Sequence, residues 1–304
     1  MNSTKESSGN TEDKNEYRIV SSIEMKDELS KIDDQEIRYM SRMPKLDELT
    51  EGFVAGELIV ISGPTKHGKT LFAQSLTSQF TKQNAFPLWF SYEVTPKYFL
   101  RGFQELPLFY MPRKLKTNAL DWVVGKCLES YKQYHTRIIF LDHLHYLFDM
   151  ARVRSPSIEI GTVIRRLKSM AVEHGFVVFL LCHTTKGASD INTSYESIRD
   201  SSFVAQESDC VLMIRRSTEE GNRARLRVEF HRRTGVLEKI VHLHKGEDGY
   251  LHQEVLGEAK KHEKKPAPAC PKCGKSLANE IKNRSSHCYS RECGADIRSV
   301  YEKA

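Results

Sequence analysis

The sequence predicts an α/β fold, a mostly parallel twisted sheet covered by helices on both faces, with a small cysteine-bearing unit at its C-terminal end. Three observations lead there. Short β-branched and apolar runs alternate with helical stretches, a glycine-rich turn joins the first run to the first long helix, and four of the seven cysteines cluster after residue 269.

The strand-like runs fall at residues 57–62, 87–92, 137–142, 176–182, 210–215, 225–230 and 239–243, and the helical stretches at 69–82, 119–134 and 158–173. Strand, helix, strand alternation implies right-handed crossovers and parallel pairing. The last strands follow one another without helices, so that end of the sheet should be antiparallel. Residues 1–20 are rich in Ser, Asn, Glu and Lys without periodicity, the composition of a disordered tail. Residues 21–42 form a linker with a loose helical pattern of Ile23, Leu29, Ile32 and Ile37. It either packs on its own domain or docks on a neighbouring subunit. The core spans 43–256, the charged, proline-bearing stretch 257–269 is a linker, and 270–304 is a separate unit without detectable repeats.

Bulk properties exclude several classes. No apolar run approaches the ~20 residues needed to cross a bilayer. The first twenty residues are polar and carry Glu6, Glu12 and Asp13, which fits neither a signal peptide nor a transit peptide. A cytoplasmic protein, bacterial or of a phage-infected cell, is expected, with an organelle as the alternative and no membrane partner. The net charge of +6 is compatible with a polyanionic partner without demanding one. Cys127, Cys182 and Cys210 sit in apolar stretches and read as small core residues.

Gly63, Pro64, Thr65, Lys66, His67, Gly68, Lys69 and Thr70 satisfy G-x-x-x-x-G-K-[ST], between the strand LIVIS and the helix TLFAQSLTSQF. The glycines let backbone N–H groups converge on an anion, and the helix N-terminus adds partial positive charge. Lys69 suits the β- and γ-phosphates of ATP or another nucleoside triphosphate, and the Thr70 hydroxyl suits Mg²⁺. Asp142 ends the apolar run RIIFLD and supplies the second Mg²⁺ anchor. Glu93 ends PLWFSYE on the same predicted sheet edge, where a carboxylate can orient or deprotonate water.

The order of these pieces resembles the RecA-like hexameric replicative helicases: the DnaB type, the helicase half of phage primase–helicases, and mitochondrial Twinkle. The resemblance covers about residues 43–254, through LDELTEGFVAGELIVISGPTKHGKT, SYE, IIFLDHLHYL, FLLCHTTKG, SIRDSSFVAQESDCVLMIRR and FHRRTG. It implies a RecA-like P-loop core and an ATP-driven DNA helicase that moves on single-stranded DNA and unwinds forked DNA in replication. It also implies a hexameric ring, with a separate primase or polymerase as a further partner. By the same resemblance Glu93 is the general base and His183 senses the γ-phosphate. Arg232 is the finger reaching a neighbour's nucleotide, with Arg233 one place away as the alternative. DNA would be gripped by Arg152 and Arg154 in a first loop, Lys186 in a second, and by Arg199 and Gln206. Departures are expected as well: about forty residues precede the motor in this sequence, without a primase or other large domain, and Phe230 stands where relatives carry a lysine. Two other classes stay open: a RecA/RadA-like recombination ATPase that does not unwind, and a KaiC-like signalling ATPase without a DNA partner.

Cys270 and Cys273 are two residues apart, Cys288 and Cys293 four apart, with fourteen residues between the pairs. Four thiolates close a tetrahedral Zn²⁺ site of the structural kind, and a unit this small needs such a metal to fold. His287 beside Cys288 is an alternative ligand. Surrounding lysines and arginines suit a ribbon that touches DNA or docks a protein.

Overall fold

The protein is described by a computed structural model covering residues 18–30, 36–148, 156–183, 201–217 and 220–254, and residues 270, 272–274, 287–288 and 293–294 of the C-terminal unit. The predicted tail up to residue 17 and the linker 257–269 lie outside the described residues. The chain divides into two compact units, residues 1–254 and 255–304.

In the larger unit, β1 (Leu58–Gly63), β2 (Leu88–Ser91), β3 (Ile138–Asp142), β4 (Val177–His183), β5 (Cys210–Arg216), β6 (Arg223–His231), β7 (Val236–Lys245) and β8 (Leu251–Gln253) form one sheet in the order β2-β3-β4-β1-β5-β6-β7-β8. Strands β2, β3, β4, β1 and β5 pair in parallel. From β5 onward the pairing is antiparallel, as expected where short turns replace helices. Three long helices, α3 (Lys69–Thr81), α5 (Leu120–Tyr134) and α6 (Pro156–His174), and the short α7 (Ser201–Glu207) accompany the sheet. Three further short ones, α1 (Ser22–Ser30), α2 (Pro44–Thr50) and α4 (Pro96–Arg101), complete the α-helices of the described residues. Helices α2, α4 and α7 and strand β8 are additions to the predicted elements; each is too short to show a period of its own.

The parallel strands read as unbroken apolar runs because both faces are buried. Alternate residues feed two cores. Ile59, Ile61, Phe140, Phe179 and Leu181 pack with Phe72, Leu76 and Phe80 of α3. Leu58, Val60, Ile139, Leu141 and Leu180 pack with Val123, Ile164 and Leu167 of α5 and α6. Stacked rings centre the first core: Trp89 lies 4.5 Å from Phe140, which lies 4.6 Å from Phe179. The one polar atom of the Trp89 side chain donates to Thr77 Oγ1 at 2.9 Å, which removes the penalty of burying it.

Helix α1 buries none of its residues, and Ile23 (73 %) and Leu29 (52 %) stand exposed. Later in the same linker Tyr39 is buried in the first core and bridges Phe53, so that end packs on its own domain; the alternative for α1, a neighbouring copy, is taken up below.

Candidate active site

Register brings the phosphate loop, Asp142 and His183 to one edge, with Glu93 just beyond β2. Gly63 pairs with His183, and Asp142 pairs with Ser91 and Leu181, so the C-terminal ends of β1, β2, β3 and β4 lie together. In open α/β sheets ligands bind outside these ends.

The loop from Gly63 to Thr70 turns β1 into α3. A Cβ on Gly63 would lie 2.2 Å from the Ile214 carbonyl oxygen, so only glycine fits between β1 and β5. Gly68 caps α3 at φ +95°, in the left-handed region. Lys66 also takes a positive φ, and His67 Nδ1 accepts the Arg216 N–H at 3.2 Å, tying the loop to the end of β5. Burial first, then the Arg215 and Lys69 charges, holds the His67 pKa below the usual range, which favours the neutral acceptor form.

Lys69 is buried and donates to the Gly63 and Pro64 carbonyls at 2.9 and 3.0 Å. Burial lowers its pKa, while the Glu93 and Asp142 carboxylates support the charge. Thr70 Oγ1 donates to Asp142 Oδ2 at 2.8 Å. Asp142 is buried; burial pushes its pKa up to about 6, with the Thr70 hydrogen bond opposing and Glu93 adding to the rise. Its Oδ1 has no hydrogen-bond partner among the described residues. A buried carboxylate oxygen with an open valence beside a threonine hydroxyl is a donor set that fits Mg²⁺.

Glu93 Oε2 lies 3.7 Å from His183 Nε2. A residue to which the sequence analysis assigned no role joins them: the rings of His143 and His183 are 4.6 Å apart, and ligating atoms of Glu93, His143 and His183 all lie within 4.8 Å. Burial, then the neighbouring His183 and His145, pushes the His143 pKa down to about 3. Tyr92, next to Glu93, stacks on Tyr146 at 5.5 Å. Adjacency of His143 to Asp142 was visible in sequence; its approach to His183 depends on two strands pairing.

Arg232 and Arg233 follow β6 at the opposite sheet edge. The Arg232 N–H bonds the Asp209 carbonyl at 2.8 Å, and the Asp209 N–H bonds Leu58, the first residue of β1. From Leu58 to Gly63 is about 17 Å of strand, farther than an arginine side chain extends. Arg232 therefore cannot serve its own chain's phosphate loop. It borders a cleft of about 530 Å³ with Val54, Glu57, Lys168 and Asp209, and its guanidinium donates to the Gln206 carbonyl. Gln206 thus sits beside Arg232, away from the phosphate edge. Arg233 is committed inward, to Glu57 at 2.9 Å and to the Thr50 and Gly52 carbonyls, each at 2.7 Å. Phe230 is half-buried against the second core. Arg152, Arg154, Lys186 and Arg199 lie outside the described residues.

In the C-terminal unit, Cys270 Sγ lies 3.6 Å from Cys293 Sγ and Cys273 Sγ 3.8 Å from Cys288 Sγ, with all four sulfurs within 4.8 Å. Zn–S bonds near 2.3 Å in a tetrahedron put sulfurs ~3.8 Å apart, so the set fits Zn²⁺. Backbone N–H groups of Cys273 and Lys272 hold the Cys270 thiol down at about 7. Cys288, and not His287, completes the quartet. Cys127, Cys182 and Cys210 are buried in the core, with thiol pKa values raised by burial.

A glycine-rich loop between strand and helix, with Lys69, Thr70 and Asp142 gathered at one end of a mostly parallel sheet, defines a RecA-like P-loop domain. Solved structures share the fold. One described as an ATPase domain matches with a TM-score of 0.65 and 18% identity, over 76% of this chain and 96% of that one. "The Structure Of A DnaB-Like Replicative Helicase And Its Interactions With Primase" matches with a TM-score of 0.64 and 18% identity, over 76% and 65%. Residues 101–250 match the family described as "DnaB-like helicase C terminal domain". A protein of Trieres chinensis described as "Probable replicative DNA helicase" is 23% identical over 227 residues, 60% of this chain. The chain spans 50% of that relative's length. The likeness to DnaB-like replicative helicases expected from the motifs is thereby shown. No described helix is long and apolar enough to cross a membrane.

Proposed function

We propose that this chain is the motor of an ATP-driven DNA helicase that moves along single-stranded DNA and separates the duplex in replication. One observation carries the proposal: the residues we assign to triphosphate hydrolysis lie at two opposite sheet edges. Lys69, Thr70, Asp142 and Glu93 occupy one edge and Arg232 the other. Such a chain is complete only when copies meet edge to edge, as in a ring.

In that arrangement backbone N–H groups of residues 63–70 cradle the phosphates. Lys69 exchanges the Gly63 and Pro64 carbonyls for phosphate oxygens. Mg²⁺ held through Thr70 and Asp142 neutralises phosphate charge when bound. Glu93 orients the attacking water and takes its proton, and His183, in reach of Glu93, registers whether the γ-phosphate is present. Arg232 of the adjacent copy stabilises charge on the transferred phosphoryl group, a task suited to a planar guanidinium. The exposed apolar residues of α1 would cover a neighbouring copy. Zn²⁺ would close the four-cysteine unit, which touches DNA or docks a protein.

The test mixes purified protein with a forked duplex, ATP and Mg²⁺. Strand separation and hydrolysis stimulated by single-stranded DNA are expected. Absence of both would overturn the proposal, and helical filaments instead of closed rings in micrographs would transfer it to a recombinase.

A further inference from the structure

Away from the phosphate edge, a groove of about 460 Å³ runs between α5 and residues 110–116. We propose that this groove is a second binding site for single-stranded nucleic acid, separate from the loops proposed to grip DNA.

Its two walls come from independent parts of the chain. Trp122, Lys126, Ser130 and Tyr134 recur every four residues along α5 and so form one stripe of the helix. Residues 110–116 form the facing wall, anchored to the sheet edge by reciprocal hydrogen bonds of Tyr110 with Trp89 and Pro87, each 2.8 Å. The twelve helical steps from Trp122 to Tyr134 make the groove ~18 Å long, enough for a few nucleotides laid end to end.

Charge identifies the ligand as a polyanion. Arg113, Lys114, Lys116 and Lys126 line the groove against the single acid Glu129, which Lys126 already engages at 2.5 Å. Arg113, Lys114 and Lys116 are exposed and make no ion pair among the described residues. Three uncompensated cations on one wall hold a phosphate chain without reading its sequence.

Rings set the class of polyanion. Trp122 is half-buried and held edge-on against Phe90 at 6.1 Å. Tyr110 and Tyr134 stack at 4.0 Å, and Tyr134 keeps 46 % of its surface exposed. Fixed aromatic faces alternating with cations suit bases stacked along a phosphate backbone. An acidic peptide would use the cations and leave the rings idle. One end of the groove is linked to the catalytic edge: Tyr92, beside Glu93, donates its hydroxyl to the Lys116 carbonyl at 3.0 Å.

The chain has two tryptophans, and Trp89 is fully buried in the core, so fluorescence quenching by a nucleic acid reports on Trp122. Full-length protein is titrated without nucleotide against a short labelled oligothymidylate, following tryptophan quenching and the label's anisotropy. Quenching is expected in the wild-type chain and in K69A, and weaker binding by anisotropy in W122F, which has lost the reporter. R113E/K114E/K116E should weaken binding about tenfold and flatten the dependence on log salt by about 2, near 0.7 for each lost phosphate contact. DNA-free hydrolysis should stay unchanged in that variant, showing that it folds. Unaltered quenching and salt slope in the charge-reversed protein would overturn the site. Displacement of the oligonucleotide from the groove by polyglutamate at matched charge would also overturn it, in favour of an acidic protein segment. Because no ATP is present, failure of unwinding leaves this result standing, and the reverse also holds.

Discussion

Arg232 and Arg233 differ by one position and by what surrounds them. Arg233 neutralises Glu57, a carboxylate only 6 % exposed, while Arg232 stands at the cleft with a backbone carbonyl as its acceptor. Burial would push the Glu57 pKa up, but His231, the Val54 N–H and Arg233 outweigh it and bring it below the usual value. A depressed carboxylate stabilises the fold above its unfolded pKa and loses that contribution as pH falls through its folded value. Arg233→Ala should therefore cost about 2 kcal/mol in chemical denaturation, less than a fully buried pair because Arg233 is partly solvated. It should also move acid unfolding to higher pH. Arg232→Ala should leave stability within ~0.5 kcal/mol yet abolish hydrolysis in assembled protein. Mixing it with Glu93→Gln subunits should restore some turnover where an intact Arg232 meets an intact Glu93. Glu93→Gln alone should bind ATP normally and lower turnover at least ~100-fold, measured by nucleotide binding beside steady-state hydrolysis. Normal hydrolysis by Glu93→Gln would remove it from the proposed role.

Among elements, the turn from β1 into α3 is the most constrained. Its glycines and lysine were legible because the motif is local, and the apolar run before it needs no partner to be recognised. What sequence could not show was the reason for Gly63: the carbonyl of Ile214, far along the chain, occupies the space of a side chain. Gly63→Ala should push β1 from β5, cost several kcal/mol and lower nucleotide affinity in the same titration. The long strands and helices matched their predicted spans to within a few residues, since 2.0 and 3.6 periods are set by the backbone. Strand β8 escaped because three residues carry no period. It forms because β7 offers an open edge and Ser75 Oγ accepts the Leu251 N–H at 2.9 Å.

For the whole molecule, the two units should respond differently to metal removal. A chelator should abolish order around Cys270, Cys273, Cys288 and Cys293, seen as faster proteolysis after residue 254, while ATP binding by the larger unit persists. Retained protection of the cysteines would exclude a metal as their organiser. Assembly should depend on α1: Ile23→Asp together with Leu29→Asp, both exposed in a single chain, should shift native mass toward monomer with ATP present. An unchanged mass would release α1 from the interface.

From its sequence alone the chain determined a phosphate loop, a parallel sheet and a four-cysteine unit. Each rests on residues near one another in the chain, where period, motif and spacing act through local backbone geometry. Tertiary structure decided the rest: that Glu93, His143 and His183 converge, that Arg232 lies across the sheet from its own phosphate loop, and that α5 faces a basic strand of chain. Those facts follow from strand order and register, which are set by packing among distant segments, and no window of sequence contains them.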